Sequence, residues 1–305
     1  MIPQKKFVLD LMVKSVQRVH ERYVLIRLTD EKPLPPMLPG QFVEVRVDGS
    51  PSTFLRRPIS INFVDYEQNE LWLLVATVGD GTRRLAQLQA GDRLNCVLPL
   101  GNGFSPLTTH HSPLLVGGGV GVAPLLYLGK TLHDRGTEPT FLLGARTAGD
   151  LLMLEEFKKY GRVFVTTEDG SMGERGFVTN HTILFGETNG ANRANGANGA
   201  NRTNETNGAN EANGTNGTGA NGNFDLIQCC GPTPMMKAVA RYASEKGIEC
   251  EVSLENLMAC GLGACLCCVE KVASPDHSQG GENYTNVCVC KEGPVFNIKR
   301  LLWQS

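Results

Sequence analysis

The spacing of hydrophobic and polar positions changes along the chain, and its first part has the spacing of short strands. Across residues 7–105, stretches rich in branched and aromatic side chains alternate with turns that contain Pro and Gly. The clearest stretches are RYVLIRL, QFVEVRV, LWLLVATV and DRLNCVLPL, and only TRRLAQL has a helical period. This pattern predicts an antiparallel β-barrel domain over residues 1–108.

The pattern beyond the barrel is that of an α/β domain. The apolar runs PLLVGG, TFLLGA, RVFVTT and FDLIQCC alternate with the helix-length stretches APLLYLGKTLHDRG and PTPMMKAVARYASEKG. Such alternation is typical of a parallel sheet with crossover helices. We therefore predict a multidomain β plus α/β protein, with a parallel-sheet domain over 109–247 and a small cysteine-rich domain over 248–305.

One segment of the α/β domain does not follow this pattern. Asn recurs at every third position from Asn189 to Asn216, and residues 189–223 contain no Val, Leu, Ile, Met or aromatic residue. A segment of this composition cannot bury enough apolar surface to offset the entropy lost on ordering. The composition predicts a disordered insertion between two α/β elements.

Composition and charge restrict the class of ligand. The chain has 305 residues, 41% hydrophobic and 20% charged, with a formal net charge of −2. These values are ordinary for a globular protein and provide no basic surface for nucleic acid, so we expect small-molecule ligands. The first residues, MIPQKKFVLDLMV, lack the apolar core of a signal peptide, and we expect a cytoplasmic protein without a membrane segment. In a reducing compartment, clustered cysteines indicate metal or redox chemistry.

The cysteines near the C-terminus have the spacing of an iron–sulfur site. Cys260, Cys265 and Cys268 form a C-x4-C-x2-C motif, the plant-type spacing for three ligands of a [2Fe-2S] cluster. The fourth ligand is either Cys288 or Cys290, and we favour Cys290. A structural zinc site and a loop that is merely rich in cysteine are the alternatives. Zinc sites usually have two separated CxxC pairs, so the spacing favours the cluster.

Two glycine-containing turns in the α/β domain predict a nucleotide site. Each follows a buried strand and precedes a helix, which is where a backbone can approach a pyrophosphate. A single Gly-rich turn is also common as a tight connection, and the second turn at the same sheet edge strengthens the functional interpretation. The candidate residues are Gly117, Gly118, Gly119, Gly121, Cys230, Gly231 and Pro232.

The strand FLRRPISIN in the barrel predicts a flavin site. Arg57 offers a bidentate fork for a diphosphate, Ser60 offers a hydroxyl to a flavin ring edge, and Pro58 fixes the backbone. Gly81 and Thr82 begin a short helix that forms a second candidate phosphate site. A surface arginine that only solvates the barrel is the alternative for Arg57.

These motifs, in this order, resemble the ferredoxin-NADP reductase superfamily over residues 1 to about 246. With SLENLMACGLGACLCCV and VCVCKEGPVF added, the pattern is similar to the family of dihydroorotate dehydrogenase B electron transfer subunits. The sequence departs from the family pattern at Cys267 and Cys288, and in the Asn-rich insertion. The resemblance implies FAD contacts at Arg57, Pro58, Ile59, Ser60, Leu74, Val75, Ala76, Gly81 and Thr82. It implies cluster ligands at Cys260, Cys265, Cys268 and Cys290.

The resemblance also implies a function. A relay between carriers of one and two electrons needs a flavin, which exchanges both. The family implies that electrons from an FMN-containing catalytic subunit pass through the [2Fe-2S] cluster and FAD to NAD+ during pyrimidine (UMP) biosynthesis. It further implies a heterotetramer with two copies of each subunit. No catalytic acid or base is expected in this chain, because dihydroorotate is oxidised on the partner.

Two other interpretations remain open at this stage. One is an FAD and [2Fe-2S] subunit of another NAD(P)H-ferredoxin or sulfide-type oxidoreductase. No obvious Ser, Arg or Lys set for a 2′-phosphate follows LLGAR, which favours NAD over NADP. The other is a zinc-stabilised nucleotide-binding module without redox activity. For a redox subunit, the C-terminal segment FNIKRLLWQS is the predicted docking face for the catalytic partner.

Overall fold

The structure is a computed structural model, and it describes residues 5–105, 112–185, 224–274 and 284–303. The predicted disordered insertion at 189–223 lies outside the described residues. Within these ranges, no helix is both long enough and apolar enough to cross a membrane.

The first domain is a closed antiparallel barrel of six strands in the order β1-β2-β5-β4-β3-β6. Along β1 the exposed and buried positions largely alternate, as expected for a strand with one face on a core. The short helix α1 begins two residues earlier than the helical period in TRRLAQL, because the Gly79 N–H donates to Thr82 Oγ1 (3.0 Å). The elements are β1 (Phe7–His20), β2 (Tyr23–Thr29), β3 (Phe42–Val45), β4 (Arg57–Asp65), β5 (Glu70–Ala76), α1 (Asp80–Leu85) and β6 (Arg93–Leu100).

The second domain contains a seven-stranded sheet in the order β10-β9-β8-β7-β11-β12-β15. Its strands are parallel except for the last, which pairs antiparallel with β12. All residues of β7 and β11 are buried, which explains their continuous apolar runs. The elements are β7 (Pro113–Gly118), α2 (Ala123–Asp134), β8 (Thr140–Ala145), α3 (Leu154–Lys158), β9 (Arg162–Thr167), β10 (Glu174–Arg175), β11 (Leu226–Cys230), α4 (Thr233–Lys246) and β12 (Glu249–Ser253).

The cysteine-rich region contributes a hairpin and the edge strand of the large sheet. Its elements are β13 (Val269–Ala273), β14 (Tyr284–Cys288), α5 (Val289–Glu292) and β15 (Val295–Asn297). The loop between β12 and β13, at 254–268, contains no helix or strand and carries three of the predicted cluster ligands. The predicted fold class, a barrel followed by a parallel-sheet domain and a cysteine-rich C-terminal region, is confirmed.

Shared contacts hold the three regions together. Tyr127 Oη on α2 donates to the carbonyl of Met37 (3.1 Å), and Asn62 Nδ2 on β4 donates to the carbonyl of Ala123 (2.9 Å). One hydrophobic cluster contains sheet residues together with Cys268, Val272 and Cys290 of the C-terminal region. The barrel, the sheet and the cysteine loop are therefore packed as neighbours.

Candidate functional site

A cleft lies at the carboxyl ends of the parallel strands β7, β8, β9 and β11. Its volume is about 630 Å³, which suits a ligand of nucleotide size. Of the sequence-predicted nucleotide residues, the cleft is lined by Gly118, Gly119, Gly121, Gly231 and Pro232. The open carboxyl edge of a parallel sheet is where such ligands bind.

Close backbone contact requires glycine at position 121 in these turns. A Cβ on Gly121 would lie 2.4 Å from the Gly231 Cα, so the two turns touch through their backbones. A Cβ on Gly118 would lie 2.6 Å from the Met235 Sδ. Gly119 has φ +57°, and a Cβ there would have no neighbour within 4 Å, so its backbone faces open space. The turns leave a surface on which a pyrophosphate could rest.

The structure places two predicted nucleotide residues behind the cleft wall. Gly117 is buried, and a Cβ there would lie 2.9 Å from Leu125 Cδ1. Cys230 is 1% exposed. Its pKa is raised, first by desolvation and then by the charge of Glu255. Neither residue lines the cleft.

Several cleft residues were not identified from the sequence. Glu168 and Glu255 follow the carboxyl ends of β9 and β12, and the rule that parallel strands present ligands at this edge could have found them. Partial desolvation raises the pKa of Glu255, although this residue remains exposed. Arg22 lies in the β1–β2 turn of the barrel and Tyr23 begins β2, and the sequence carried no signal for either. Residues of both the barrel and the α/β domain therefore line the cleft.

Two barrel side chains contact one carboxylate of the nucleotide domain at this edge of the cleft. Arg22 Nη2 donates to Asp150 Oδ1 (2.9 Å), and His20 Nε2 lies 3.5 Å from the same carboxylate oxygen. The pKa of Asp150 is lowered: desolvation opposes ionisation, but the hydrogen bonds from Thr147 and Arg22 outweigh it. The pair joins the barrel to the nucleotide domain.

The predicted flavin strand is β4, at the side of the barrel. Arg57 pairs with Val45 in the sheet register and Ser60 with Phe42, and both side chains are half-buried. Gly81 is buried against Arg57, because a Cβ there would lie 3.1 Å from the Arg57 Nε. The Arg57 Nη1 donates to the carbonyl of Arg56 (3.1 Å), which leaves other donors of its guanidinium for a phosphate.

The remaining predicted flavin residues differ in what they can offer. The side chains of Leu74 and Val75 are 2% and 1% exposed, so only their backbone is available to a ligand. Ala76 is half-buried and pairs with Tyr23, a residue that lines the nucleotide cleft. The Thr82 hydroxyl is used in capping α1. Pro58 and Ile59 lie between Arg57 and Ser60 on β4 and are half-buried.

The four predicted cluster ligands come together as two pairs of thiols. Cys260 hydrogen-bonds with Cys265, and Cys268 with both Cys290 and Cys288. In the described ranges, no three His, Cys, Asp or Glu side chains converge on a point that could hold one metal ion. Two thiolates for each of two irons is the ligand set of a [2Fe-2S] cluster. The loop therefore brings together the four sulfurs that such a cluster would need, with Cys288 as a fifth thiol beside them.

Backbone amides in the loop point at the sulfurs. The N–H of Leu262 donates to Cys260 Sγ (3.4 Å), and that of Cys290 donates to Cys268 Sγ (3.4 Å). Desolvation opposes ionisation of Cys260, but the amides of Leu262, Cys265 and Ala264 lower its pKa to about 6. Amide donors of this kind stabilise thiolates and a negatively charged cluster.

The surroundings of Cys288 and Cys290 differ in a way that favours Cys290 as the fourth ligand. Cys290 is 1% exposed, and its Sγ accepts the N–H of Gly263 (3.1 Å). The Cys288 Sγ instead donates to the carbonyl of Gly263 (3.8 Å). A thiolate ligand has no proton to donate and would face a repelling oxygen at that place. Cys267 is exposed, but so is the predicted ligand Cys265, so exposure does not separate these two thiols.

A carboxyl group is buried between the flavin strand and the thiol loop. Glu44 on β3 is 0% exposed, and neither carboxyl oxygen has a hydrogen-bond partner in the described residues. Desolvation raises its pKa to about 7, and the charge of Arg56 partly opposes this shift. Sequence reasoning missed Glu44, because its position in QFVEVRV is that of an ordinary strand residue.

Comparison with protein families identifies relatives of this chain. Residues 255–302 match the family described as the iron-sulfur cluster binding domain of dihydroorotate dehydrogenase B. The chain is 36% identical to the dihydroorotate dehydrogenase B (NAD(+)) electron transfer subunit of Fusobacterium nucleatum, over 85% of this chain and 84% of that protein. It is 35% identical to the subunit of the same name from Shouchella clausii, over 94% of this chain and 95% of that protein.

Solved structures share the architecture. An NADH-dependent reduced ferredoxin-NADP oxidoreductase, studied for flavin-based electron bifurcation, aligns with a TM-score of 0.72 and 28% identity, covering 100% of this chain and 92% of that chain. The ferredoxin reductase of carbazole 1,9a-dioxygenase aligns with a TM-score of 0.58 and 17% identity, covering 80% of this chain and 67% of that chain. The second likeness concerns the fold alone.

Proposed function

The chain belongs to the family of dihydroorotate dehydrogenase B electron transfer subunits, and from this premise we propose the path that electrons take through it. It is an oxidoreductase subunit that works with FAD, a [2Fe-2S] cluster and NAD. The proposed path runs from the partner's flavin to the cluster held at 260–290, then to FAD on β4, and ends at NAD+ in the cleft. Bound flavin supplies the exchange between single electrons and hydride.

The observation that carries this proposal is the order of the three sites in one packed unit. The barrel strand with Arg57 and Ser60 lies between the nucleotide cleft, which Tyr23 of the barrel helps to line, and the thiol loop, which covers Glu44 on β3. A flavin on β4 would therefore have the cleft on one side and the thiols on the other.

The residues of the flavin site have separate roles in this proposal. The guanidinium of Arg57 neutralises the diphosphate, and Gly81 leaves room for that side chain. The hydroxyl of Ser60 hydrogen-bonds to the flavin ring edge. Leu74, Val75 and Ala76 supply backbone along β5. Only binding and orientation are asked of these residues, since no group is needed here to remove a proton from dihydroorotate.

The residues of the cleft hold the nicotinamide nucleotide. The backbone of Gly119 and Gly121 receives the pyrophosphate, with Gly231 and Pro232 on the opposite turn. Glu168, an accessible carboxylate at the end of β9, can accept a hydrogen bond from a ribose hydroxyl and repels a 2′-phosphate. This charge supports NAD as the nucleotide.

The cluster ligands in this proposal are Cys260, Cys265, Cys268 and Cys290. The name of the relatives as electron transfer subunits implies a separate catalytic subunit. We propose that this partner carries FMN, docks over the C-terminal region and forms a heterotetramer with two copies of each subunit. A cytoplasmic location, the three domain boundaries and the docking role of FNIKRLLWQS remain predictions.

The direct test is reconstitution with a dihydroorotate-oxidising catalytic subunit. Anaerobic addition of dihydroorotate and NAD+ should produce orotate and NADH in equal amounts, measured by absorbance. Omission of either subunit should abolish NADH formation. If orotate forms while NAD+ is not reduced by the complete complex, the proposed path is wrong.

The likeness to the NADH-dependent reduced ferredoxin-NADP oxidoreductase favours a second candidate, an electron-transfer subunit that works with ferredoxin. The two candidates use the same three sites and differ in the partner that exchanges electrons with the thiol loop. Replacement of the catalytic subunit and dihydroorotate by reduced ferredoxin distinguishes them. Our proposal predicts rapid NADH formation only with the dihydroorotate-oxidising partner.

A further inference from the structure

The flavin-binding role proposed for β4 does not explain why the carboxyl of Glu44, on the neighbouring strand β3, is buried. Its side chain leaves the barrel on the face covered by the thiol loop, whereas Val43 and Val45 on either side belong to the barrel core. A Cβ on Gly261 would lie 2.7 Å from Glu44 Cγ and 3.2 Å from Glu44 Oε1. The loop backbone directly after Cys260 therefore packs on this carboxyl group.

The same residue borders the flavin strand. The backbone of Glu44 pairs with Pro58, between the predicted flavin contacts Arg57 and Ile59. Glu44 is thus paired through the sheet with a predicted flavin contact and packs against the thiol loop. It lies between the two sites that the proposed electron path connects.

The nearby arginines do not neutralise the carboxyl by direct contact. Arg56 Nη1 donates to the backbone carbonyls of Glu44 (3.2 Å) and Asn95 (3.1 Å), and its Nη2 donates to Asn95 Oδ1 (2.5 Å). Arg57 donates to the carbonyl of Arg56. Both arginines are thereby held by other acceptors, and their charges reach Glu44 only through space.

A buried carboxyl group without a hydrogen-bond partner lowers the stability of the fold, so its presence needs an explanation. A barrel strand could place an apolar side chain at this covered position, as it does at the neighbouring core positions. A charged group in a poorly solvated site interacts strongly with other charges close to it. Here the loop that carries the predicted cluster ligand Cys260 packs directly on the carboxyl group.

We propose that Glu44 is a positioning residue whose charge lowers the reduction potential of the [2Fe-2S] cluster, so that electrons pass from the cluster to FAD. The inference rests on the proposed function. Reduction adds one electron to the cluster and breaks no bond, so the reduced cluster carries one more negative charge. A carboxylate beside it disfavours that state, as hydrogen bonds and local charge are known to tune such clusters.

The test is the midpoint potential of the cluster in the full chain carrying FAD. An anaerobic dithionite titration in alkaline buffer, followed by the EPR signal of the reduced cluster, would compare wild type with Glu44→Gln, Glu44→Asp and Glu67→Gln. Glu44→Gln should shift the potential upward. Glu44→Asp, which withdraws the carboxyl from Gly261, should give a smaller upward shift. Glu67→Gln removes an exposed charge from the β4–β5 turn, at the opposite end of β4 from Pro58, and should leave the potential unchanged.

An unchanged potential in Glu44→Gln with full iron and sulfide content would overturn the proposal. If Glu44→Gln fails to assemble a cluster, the potential of Glu44→Asp decides: an upward shift supports the proposal, and no shift overturns it. The iron and sulfide content of the wild type is measured first. A wild type without a cluster contradicts the proposed function, whereas a normal cluster that does not respond to Glu44 contradicts this inference alone.

Discussion

The nucleotide cleft and the thiol loop, the two proposed binding sites, are built by different means. The cleft is shaped by backbone: Gly118, Gly121 and Gly231 allow two strand–helix turns to touch, and no charged side chain is needed for the turn itself. The loop at 254–268 contains no helix or strand, and its sulfurs are arranged by a few amide donors. The cleft is a product of the fold, whereas the loop depends on the metal that its thiols would bind.

This difference has a consequence for mutation. A change at a cluster ligand removes the group that orders the loop, so its effect should be complete and local. The sheet that forms the cleft folds without a ligand, so a mutation in the cleft should weaken nucleotide binding only in part. Mutations on the barrel face with Arg57 should likewise weaken FAD binding only in part.

The largest effect is expected at the thiol pairs. Cys268→Ser and Cys290→Ser should reduce iron and acid-labile sulfide to a small fraction of wild type while FAD is retained, because each removes one of two thiolates from an iron. Cys267→Ser and Cys288→Ser are the matched controls and should keep the cluster. Iron, sulfide and flavin assays measure all three contents. Loss of the cluster in Cys288→Ser but not in Cys290→Ser would reverse the ligand assignment.

The next effect is expected in the cleft. Gly121→Ala places a methyl group 2.4 Å from the Gly231 Cα and 2.6 Å from the Cys230 carbonyl oxygen. Since backbone must move, overpacking of up to about 3 kcal/mol should raise the KM for NADH on the order of 100-fold. Gly149→Ala adds a methyl 3.7 Å from Thr147 Oγ1 and should be neutral. NADH-dependent dye reduction gives the KM, and an unchanged value in Gly121→Ala would place the nucleotide elsewhere.

A smaller effect is expected on the barrel. Arg57→Met should weaken FAD binding on the order of tenfold, since a charge-assisted hydrogen bond contributes about 1.5 kcal/mol. Arg46→Met serves as the control, because Arg46 pairs with the exposed Asp48 on the barrel surface (2.9 Å). Retention of flavin during dilution and filtration measures the affinity. Equal flavin loss in both variants would indicate a general effect on the barrel.

The smallest effect is expected at the pair that joins the barrel to the nucleotide domain. Arg22→Met removes the bond to Asp150 but leaves the cleft turns intact. An exposed pair of this kind contributes at most about 1 kcal/mol, and salt screens it. The thermal midpoint should therefore fall slightly at low salt and match that of wild type at high salt. A large fall that persists at high salt would show that Arg22 acts through packing instead.

The sequence predicted those features of the fold and the site that leave a local pattern of residues along the chain. Alternation and buried runs predicted the barrel and the parallel sheet, because side-chain period follows from which faces are covered. The glycines at 118–121 and the cysteines at 260–268 have spacings that favour close backbone approach and metal binding. The comparisons confirm the family and the cofactors that these motifs indicated.

Other features depend on tertiary packing that no local pattern records. Arg22 reaches the cleft because the barrel packs beside the sheet, and Glu44 is buried because a loop more than 200 residues away covers it. The edge position of β15 in the large sheet is likewise a tertiary pairing, since three residues have no distinctive period. The role of Glu44 was therefore accessible only from the structure.

The central claim is that one chain passes electrons between a nucleotide in the cleft and a cluster in the thiol loop. The most direct measurement is anaerobic addition of NADH to the isolated chain, followed by flavin absorbance and EPR. Our account predicts flavin bleaching together with the rhombic signal of a reduced [2Fe-2S] cluster. Flavin bleaching without that signal, in protein with full iron and sulfide content, would contradict it.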